Sequence, residues 1–319
     1  MDKLRTLAEA AALIESGVSI AIGGFTSQRH PMALIREIIR RGTRELIAYA
    51  HSSGSDLDLL IGAGSLRRVE AAYVADGVFA PIAPCWRRFI EAGRLEFEDY
   101  SNAAMMARFT AGAMGLPYLP TLSMLGSDLL EKEGIGAGQR AADPTLARHK
   151  ALIQICPFTY RKLVLVPAVN PDFCLLHVQK ASRSGLLRID GQEFLDVQMA
   201  LASRTVIATC EELVDDDELR REPERNRIPP FAVHAVVPVP WGSHPHGVHN
   251  AYDYDPEHLA LYNEAAETEA GFADYLARYV TGPADHAAYL EAIGGSARLE
   301  ALRARPGWGY NPALARKGR

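Results

Sequence analysis

Val18-Ser19-Ile20-Ala21-Ile22-Gly23-Gly24-Phe25-Thr26-Ser27-Gln28-Arg29-His30-Pro31 is the stretch from which the fold of this chain is read. Its first five residues are mostly apolar and rich in β-branched side chains, the composition of a buried strand, and two glycines end it. A helix is then predicted from Pro31. Proline suits the first helical position, where its missing N–H costs nothing. Leu34, Ile35, Ile38 and Ile39 fall on one face, with Arg36, Glu37, Arg40 and Arg41 on the other. Gly42 supplies the stop. The loop thus presents small-residue backbone and one arginine at the carboxyl end of a strand, the place where open α/β sheets bind ligands. It is not a dinucleotide fingerprint, because Phe25 follows the glycines and no third glycine opens the helix.

The same strand, loop and helix recur outward from it. A helical pattern over residues 4–16 precedes the key strand, and a strand at 46–49 follows it. The loop His51-Ser52-Ser53-Gly54-Ser55 comes next, with Asp56 as the cap of a helix at 57–61. A strand at 69–74 leads to a helix at 85–91, and a strand at 95–97 leads through Glu98-Asp99-Tyr100-Ser101-Asn102 to a small-residue helix ending at Gly115. This alternation predicts an open, mostly parallel twisted sheet with helices on both faces. Residues 116–160, broken by glycines and prolines, read as a long excursion over the sheet edge. Strands at 163–166, 173–178, 186–189, 204–210 and 232–237 resume the core, with a helix at 194–202. A glycine- and histidine-rich loop at 241–254, a helix over 257–279 and a tail with a basic end, 284–319, expected to wrap a neighbouring surface, complete one domain spanning residues 1–319.

Composition narrows the function classes. The chain is 48% hydrophobic and 23% charged with a net charge of -5, and its arginines are scattered, so no nucleic-acid face is implied. No apolar run approaches the roughly 18 residues of a membrane span, and Met1-Asp2-Lys3-Leu4-Arg5 enters a helical pattern instead of a signal core, so a cytoplasmic protein is expected. Cys85, Cys156, Cys174 and Cys210 form no C-x-x-C, which points to free thiols instead of a disulfide framework or zinc site.

The opening stretch resembles the signature of the family I coenzyme A transferases, in which a short apolar strand enters Gly-Gly-Phe and reaches a proline six residues later, here Pro31. The glutaconate CoA-transferase branch, in its A chain, is similar over most of the sequence. The likeness runs through Glu98-Asp99-Tyr100-Ser101, Gly115-Leu116-Pro117-Tyr118-Leu119-Pro120, Gly126-Ser127, His177-Val178-Gln179, Thr209-Cys210-Glu211-Glu212, His244-Pro245 and Tyr252-Asp253-Tyr254-Asp255. Arg29 stands where the succinyl and 3-oxoacid branch has a glycine, which implies a different acyl substrate. The resemblance implies the CoA-transferase fold, shared with NagB and RpiA, and a reaction moving CoA between two carboxylic acids through a glutamyl-CoA thioester. CoA and acyl-CoA would be substrates, with no resident cofactor.

The family's nucleophile motif, Ser-Glu-Asn-Gly, is carried by its B subunit; no such string occurs here. The resemblance therefore implies a partner, the CoA-transferase B subunit, in a hetero-oligomer of A and B chains, with half of the active site on each. Gly23, Gly24 and Phe25 are candidates to provide or shape an oxyanion environment, where one well-placed donor contributes roughly 3 to 4 kcal/mol. Candidate substrate contacts are Thr26, Arg29, Ser52, Ser101, Asn102, Gln179 and His244. Arg29 is a bidentate holder for a distal carboxylate or a surface ion-pair residue. Ser101 and Asn102 are also explained as helix caps. Glu211 and Glu212 follow a strand and read as a cap or a solvated corner sooner than as nucleophiles. His244-x-His246-x-x-His249 lacks helical ligand spacing, so no metal is expected, and Gly134, Gly136 and Gly138 follow a charged run instead of a strand. Two alternatives stand beside the transferase: the A subunit of a CoA-ester hydrolase or ring-cleaving enzyme, and a non-catalytic acyl-CoA-binding module. Hydrolases resembling this family place a carboxylate near Asn102, and an amide there is no base.

Overall fold

The computed structural model describes residues 2–315. Strands β1 (Ser19–Ile22), β2 (Leu46–Ser53), β3 (Leu66–Val74) and β4 (Glu96–Asp99) alternate with helices Met32–Arg40, Ser55–Gly62 and Pro84–Glu91. After helix Asn102–Ala113 come β5 (Tyr118–Thr121), β6 (Leu152–Ile155), β7 (Lys162–Pro167), β8 (Phe173–Ala181), β9 (Leu187–Arg188), β10 (Thr205–Leu213) and β11 (Val233–Pro238). Among the described residues the main sheet has eight strands. Seven run in parallel in the order β11-β10-β8-β1-β2-β3-β4, and β9 pairs antiparallel with the far end of β8. This is the open, mostly parallel sheet that the alternation predicts. The chain lays strands outward from β1 to β4, then returns to the other side of β1 with β8. Strand order reverses between β1 and β8, and in such sheets the crevice above that point takes the ligand.

Successive side chains of a strand point to opposite faces, and each face has its own core. Ile20 and Ile22 of β1, with Leu46, Ala48 and Ala50 of β2, join Leu34, Ile35, Ile38, Leu57, Leu60 and Ile61 on one side. Ala21, Ile47 and Tyr49 join Met105, Phe109, Met199 and Ala200 on the other. Helix Met32–Arg40 buries the apolar stripe expected of it, although Pro31 is its N-cap and not its first residue.

Four elements differ from expectation. β2 continues to Ser53, so His51, Ser52 and Ser53 are strand residues, and Gly54 caps the next helix, with Asp56 Oδ1 accepting the Gly54 N–H at 2.6 Å. The helix expected over 257–279 is two helices, Pro256–Ala266 and Glu269–Leu276, followed by a π turn at Ala277–Thr281. The break falls where Thr268 Oγ1 accepts the Gly271 N–H and starts a new N-terminus. Residues 163–166 lie outside the main sheet, because β7 pairs antiparallel with β5 and β6 in a separate three-stranded sheet. Val164 and Val166 of β7 are buried against the main core, while Leu152, Ile153 and Ile155 of edge strand β6 are exposed, and so are Phe158 (89%) and Tyr160 (81%) in the turn beyond. The tail wraps its own chain: helices His286–Ala292 and Gly295–Leu302 follow the main body, and Leu299 and Leu302 pack on Trp241, Val248 and Tyr252. Its basic end, residues 316–319, lies outside the described residues. Among the described residues no helix is long and apolar enough to cross a membrane.

Candidate active site

Gly23 and Gly24 leave β1 through a turn that admits no side chain. A Cβ on Gly23 would strike Leu176 and the Asp196 carboxylate, and Gly24 has φ +93° with the Gln28 carbonyl oxygen 2.5 Å from the position of a Cβ. The turn brings several of the expected residues together. Thr26 N–H donates to the Ser52 carbonyl at 2.9 Å, tying the β1 loop to the end of β2, and Ser52 Oγ donates to Asn102 Oδ1 at 3.1 Å. Ser101 Oγ caps helix Asn102–Ala113 by accepting the Ala104 N–H, and lies 2.6 Å from Ser123 Oγ. Phe25 stacks on Phe194 with ring centroids 4.5 Å apart, and the His51 ring lies 5.6 Å from it on β2. Gly23, Gly24, Phe25, Thr26, Ser52, Ser101 and Asn102 thus line one region at the carboxyl ends of β1 and β2.

The donors expected of the glycine turn are spent inside the chain. Gly23 N–H donates to the Leu175 carbonyl, Gly24 N–H to Asp196 Oδ1 and Phe25 N–H to the Gln28 carbonyl, each at 2.9 Å. None of these three N–H groups is left over to serve as an oxyanion donor. Arg29 is also committed: it is 2% exposed, and its guanidinium donates to Asp196 Oδ2 at 2.7 Å, the Gln192 carbonyl at 2.7 Å and the His177 carbonyl at 3.1 Å. The expected role of holding a substrate carboxylate does not fit a buried guanidinium already paired with Asp196 and bonded to two backbone carbonyls. It instead links β8 to the loop that follows β1.

Two other expected contacts lie apart. Gln179 bridges loops, donating to the Asp190 and His249 carbonyls, both at 3.0 Å, while its Oε1 accepts the Asp190 N–H. His244 is fully buried, with Nδ1 2.7 Å from the Tyr289 hydroxyl and Nε2 3.1 Å from Asp255 Oδ2. Burial pushes its pKa down and the Asp255 hydrogen bond opposes that. A position at the substrate entrance does not fit a histidine with both nitrogens bonded in the interior. The three histidines of the 244–249 motif have separate neighbours, since His246 Nε2 bonds Ser55 Oγ at 2.7 Å and His249 lies against Gly191 and Gly309.

Three features had no usable local signal. Asp196, which organises both Gly24 and Arg29, lies far along the chain in the first turn of helix Asp196–Ala202. Glu211, read as a corner residue, is a junction: Oε1 accepts from Tyr252 Oη at 2.6 Å and lies 2.7 Å from His177 Nε2, and Oε2 accepts the Trp241 N–H at 2.7 Å. His51 is 91% buried, yet among the described residues neither ring nitrogen has a hydrogen-bond partner, and burial pushes its pKa below the usual imidazole value. Its signal was present as a polar His-Ser-Ser at the end of an apolar strand, but it read as a turn. A separate cavity of about 560 Å³ is lined by Gln28, His249, Tyr252, Asp253, Trp308 and Tyr310, and includes none of the residues at the β1 and β2 ends.

The sequence pattern described as Coenzyme A transferase matches residues 4–238. The chain belongs to the coenzyme A transferase family. Within that family it is 37% identical to the A subunit of glutaconate CoA-transferase from Acidaminococcus fermentans, over 98% of each chain. The crystal structure of that glutaconate CoA-transferase superposes with a TM-score of 0.94, covering 97% of this chain and 98% of that one. The decarboxylase AibA/AibB, solved as a variant, superposes with a TM-score of 0.69 at 32% identity, covering 86% of this chain and 99% of that one. The cholesterol ring-cleaving hydrolase IpdA subunit of Mycobacterium tuberculosis is 27% identical over 92% of this chain and 99% of its own length. The resemblance carried by Gly23-Gly24-Phe25 and Pro31 therefore extends to the whole coenzyme A transferase fold.

Proposed function

We propose that this chain is the A subunit of a two-chain enzyme that moves CoA between an acyl-CoA and a small carboxylic acid, the nucleophilic glutamate coming from a B subunit. The observation that carries this reading is that two carboxylates beside the β1 turn and the end of β10, Asp196 and Glu211, are occupied. Asp196 is held by Arg29 and the Gly24 N–H, and Glu211 by Tyr252, Trp241 and His177. Glu212 is exposed and pairs with Lys180. Of these three carboxylates, among the described residues, the two near the β1 turn are held in place and the third is a paired surface residue, so none of them stands ready as the nucleophile.

In the proposed sequence the partner's glutamate attacks the thioester carbonyl, forming an acyl-glutamyl anhydride and releasing CoA thiolate. The thiolate attacks the glutamyl carbonyl and frees the first acid. The second acid then repeats these steps in reverse, so both halves balance without a resident cofactor. This chain contributes the cleft, the aromatic wall of Phe25 and Phe194, and the polar group at Ser52 and Asn102. Asn102 also supports transfer over a hydrolase of the ring-cleaving kind, because an amide cannot take a proton from water. The β6–β7 hairpin supports the partner. Residues 144–171 contain no acidic residue, Arg148, Arg161 and Lys162 are exposed and form no ion pair among the described residues, and Leu152, Ile153, Ile155, Phe158 and Tyr160 give an apolar surface. We assign that hairpin to a face of the B chain that is apolar and edged with carboxylates.

The test is to incubate the co-purified complex with acyl-CoA, reduce it with borohydride and map the modified glutamate by peptide mass spectrometry. Modification of one glutamate on the second chain, with CoA exchange dependent on an acceptor acid, is the expected result. Modification of Glu211 or Glu212, or CoA release without an acceptor acid, overturns the transferase reading.

A further inference from the structure

The glycine turn leads into a residue whose conformation the fold itself does not explain. Phe25 N–H donates to the Gln28 carbonyl and Gln28 N–H to the Phe25 carbonyl, both at 2.9 Å, so Thr26 and Ser27 are the two central residues of a hairpin turn. A positive φ at the first central residue of such a turn is ordinarily taken by Gly, Asn or Asp. Here it is taken by Thr26, at +50°, and for a β-branched side chain that is a strained outlier. Two other non-glycine residues beside the crevice share the left-handed region, and each has a contact that offsets the strain. Arg29, at φ +55°, has its ion pair with Asp196, and Phe194, at φ +51°, stacks on Phe25. The Thr26 hydroxyl has no such contact. The residue is partly buried, and among the described residues Oγ1 forms no hydrogen bond and is not closed off from solvent. Only the backbone is tied down, the Thr26 N–H donating to the Ser52 carbonyl. A glycine would make that bond without strain, so what threonine adds at this point is its side chain.

We infer that the Thr26 hydroxyl is a catalytic hydrogen-bond donor to the thioester carbonyl oxygen of the acyl-CoA as that oxygen becomes an oxyanion. The inference rests on the transfer proposed above and adds the residue of this chain that acts on the reacting atoms. Attack by the partner's glutamate forms one C–O bond and moves the carbonyl π pair onto oxygen. When that pair returns, the C–S bond breaks and CoA leaves as the thiolate. Thr26 keeps its proton throughout and gives only a hydrogen bond. The other donors of the turn are spent. The N–H groups of Gly23, Gly24, Phe25, Thr26, Gln28 and Arg29 all donate to oxygens of the chain, and the Arg29 guanidinium is paired with Asp196. Ser27, the other hydroxyl of this turn, is not in the left-handed region. Thr26 also has the right place, just past the carboxyl end of β1 where strand order reverses. A donor fixed in an unfavoured conformation by its surroundings needs no reorganisation when the charge develops.

The experiment uses the complex of this chain with its B-chain partner and measures CoA exchange from butyryl-CoA and from glutaryl-CoA to acetate, following whichever donor the wild type turns over faster. Thr26→Val keeps the shape and the strain, and Thr26→Gly suits the left-handed backbone; both remove the hydroxyl. Each is expected to lower kcat at least about a hundredfold with KM within about threefold, the pattern of an interaction made in the transition state. Thr26→Ser keeps the donor and is expected to hold kcat within about tenfold of wild type. Ser27→Ala is expected to leave kcat unchanged. Thr26→Gly is also expected to keep or raise the thermal midpoint of the complex, so that catalysis is lost where stability is not. A kcat loss of less than about a hundredfold in Thr26→Val or Thr26→Gly overturns the inference and leaves the transferase standing. So does a loss that resides in KM, a Thr26→Ser variant as slow as Thr26→Val, or a Ser27→Ala variant as slow as either. If the wild-type complex exchanges no CoA with either donor, the transfer reading itself fails and the inference with it.

Discussion

Arg29 and Asp196 put a full ion pair, with side chains 2% and 1% exposed, under the loop that follows β1. Removing one partner leaves the other charge buried and unpaired, which costs about 3 to 5 kcal/mol. Arg29→Ala is therefore expected to lower the urea midpoint of the isolated chain sharply, and Arg29→Ala combined with Asp196→Ala to recover part of the loss. A substrate-binding arginine would instead change KM and leave the midpoint alone. The residue looked like a ligand group in the sequence because its partner is 167 positions away, beyond the reach of any local pattern. Asp76 carries the pH dependence at this scale. Burial, reinforced by Asp58 and Asp56, raises its carboxyl to about 7 against the hydrogen bonds from Asn263 and the Ser55 N–H. The folded state then holds a proton that the unfolded chain releases near its ordinary value of 3.8. This stabilisation is present in full below the unfolded value and is lost as pH rises through the folded one. Between about pH 5 and pH 8 the wild-type urea midpoint is expected to fall more steeply than that of Asp76→Asn. Parallel slopes for the two proteins would show that Asp76 does not titrate in that window.

Among the elements, the β6–β7 hairpin separates folding from assembly. Phe158 and Tyr160 touch little of their own chain, so Phe158→Ser with Tyr160→Ser is expected to leave the thermal midpoint within about 1 °C. Buried aromatic anchors in interfaces contribute about 2 kcal/mol or more each, roughly thirtyfold apiece, so affinity for the B chain is expected to drop on the order of a thousandfold in the double variant by native mass spectrometry or calorimetry. Unchanged assembly would remove the hairpin from the interface. Elements of this kind were only partly legible. β1, the glycine turn and helix Met32–Arg40 follow from strand composition, two glycines and an amphipathic stripe. β7 has the same alternation as a main-sheet strand, and alternation says which face is buried but not which sheet is joined. His51, Ser52 and Ser53 were hidden because hydrogen bonding from β3, at Ser52↔Tyr73 and Ser53↔Val74, extends β2 into residues whose own preference is for turns.

The whole molecule is organised by the reversal of strand order at β1 and β8. Repeated strand and helix signals made the sheet class readable, whereas the crossing from β4 through the small sheet back to β8 depends on contacts between distant segments. The candidate site follows the same division: Gly23–Thr26, Ser52, Ser101 and Asn102 converge as their positions at strand ends imply, while Gln179 and His244 are drawn into loop packing elsewhere. That packing forms a strap. Asp253 N–H donates to the Leu302 carbonyl and Ala304 N–H to the Ala251 carbonyl, and Arg29 N–H and Gly247 N–H close a reciprocal pair with the Gly247 and Ser27 carbonyls. The tail, the histidine loop and the glycine turn are thereby joined through main-chain atoms, which are blind to the identity of side chains. Over evolutionary time many replacements along the tail can accumulate without reaching the crevice. The gain or loss of a single residue would slip both bridges and carry the displacement to β1, so length is the inherited quantity in this part of the chain.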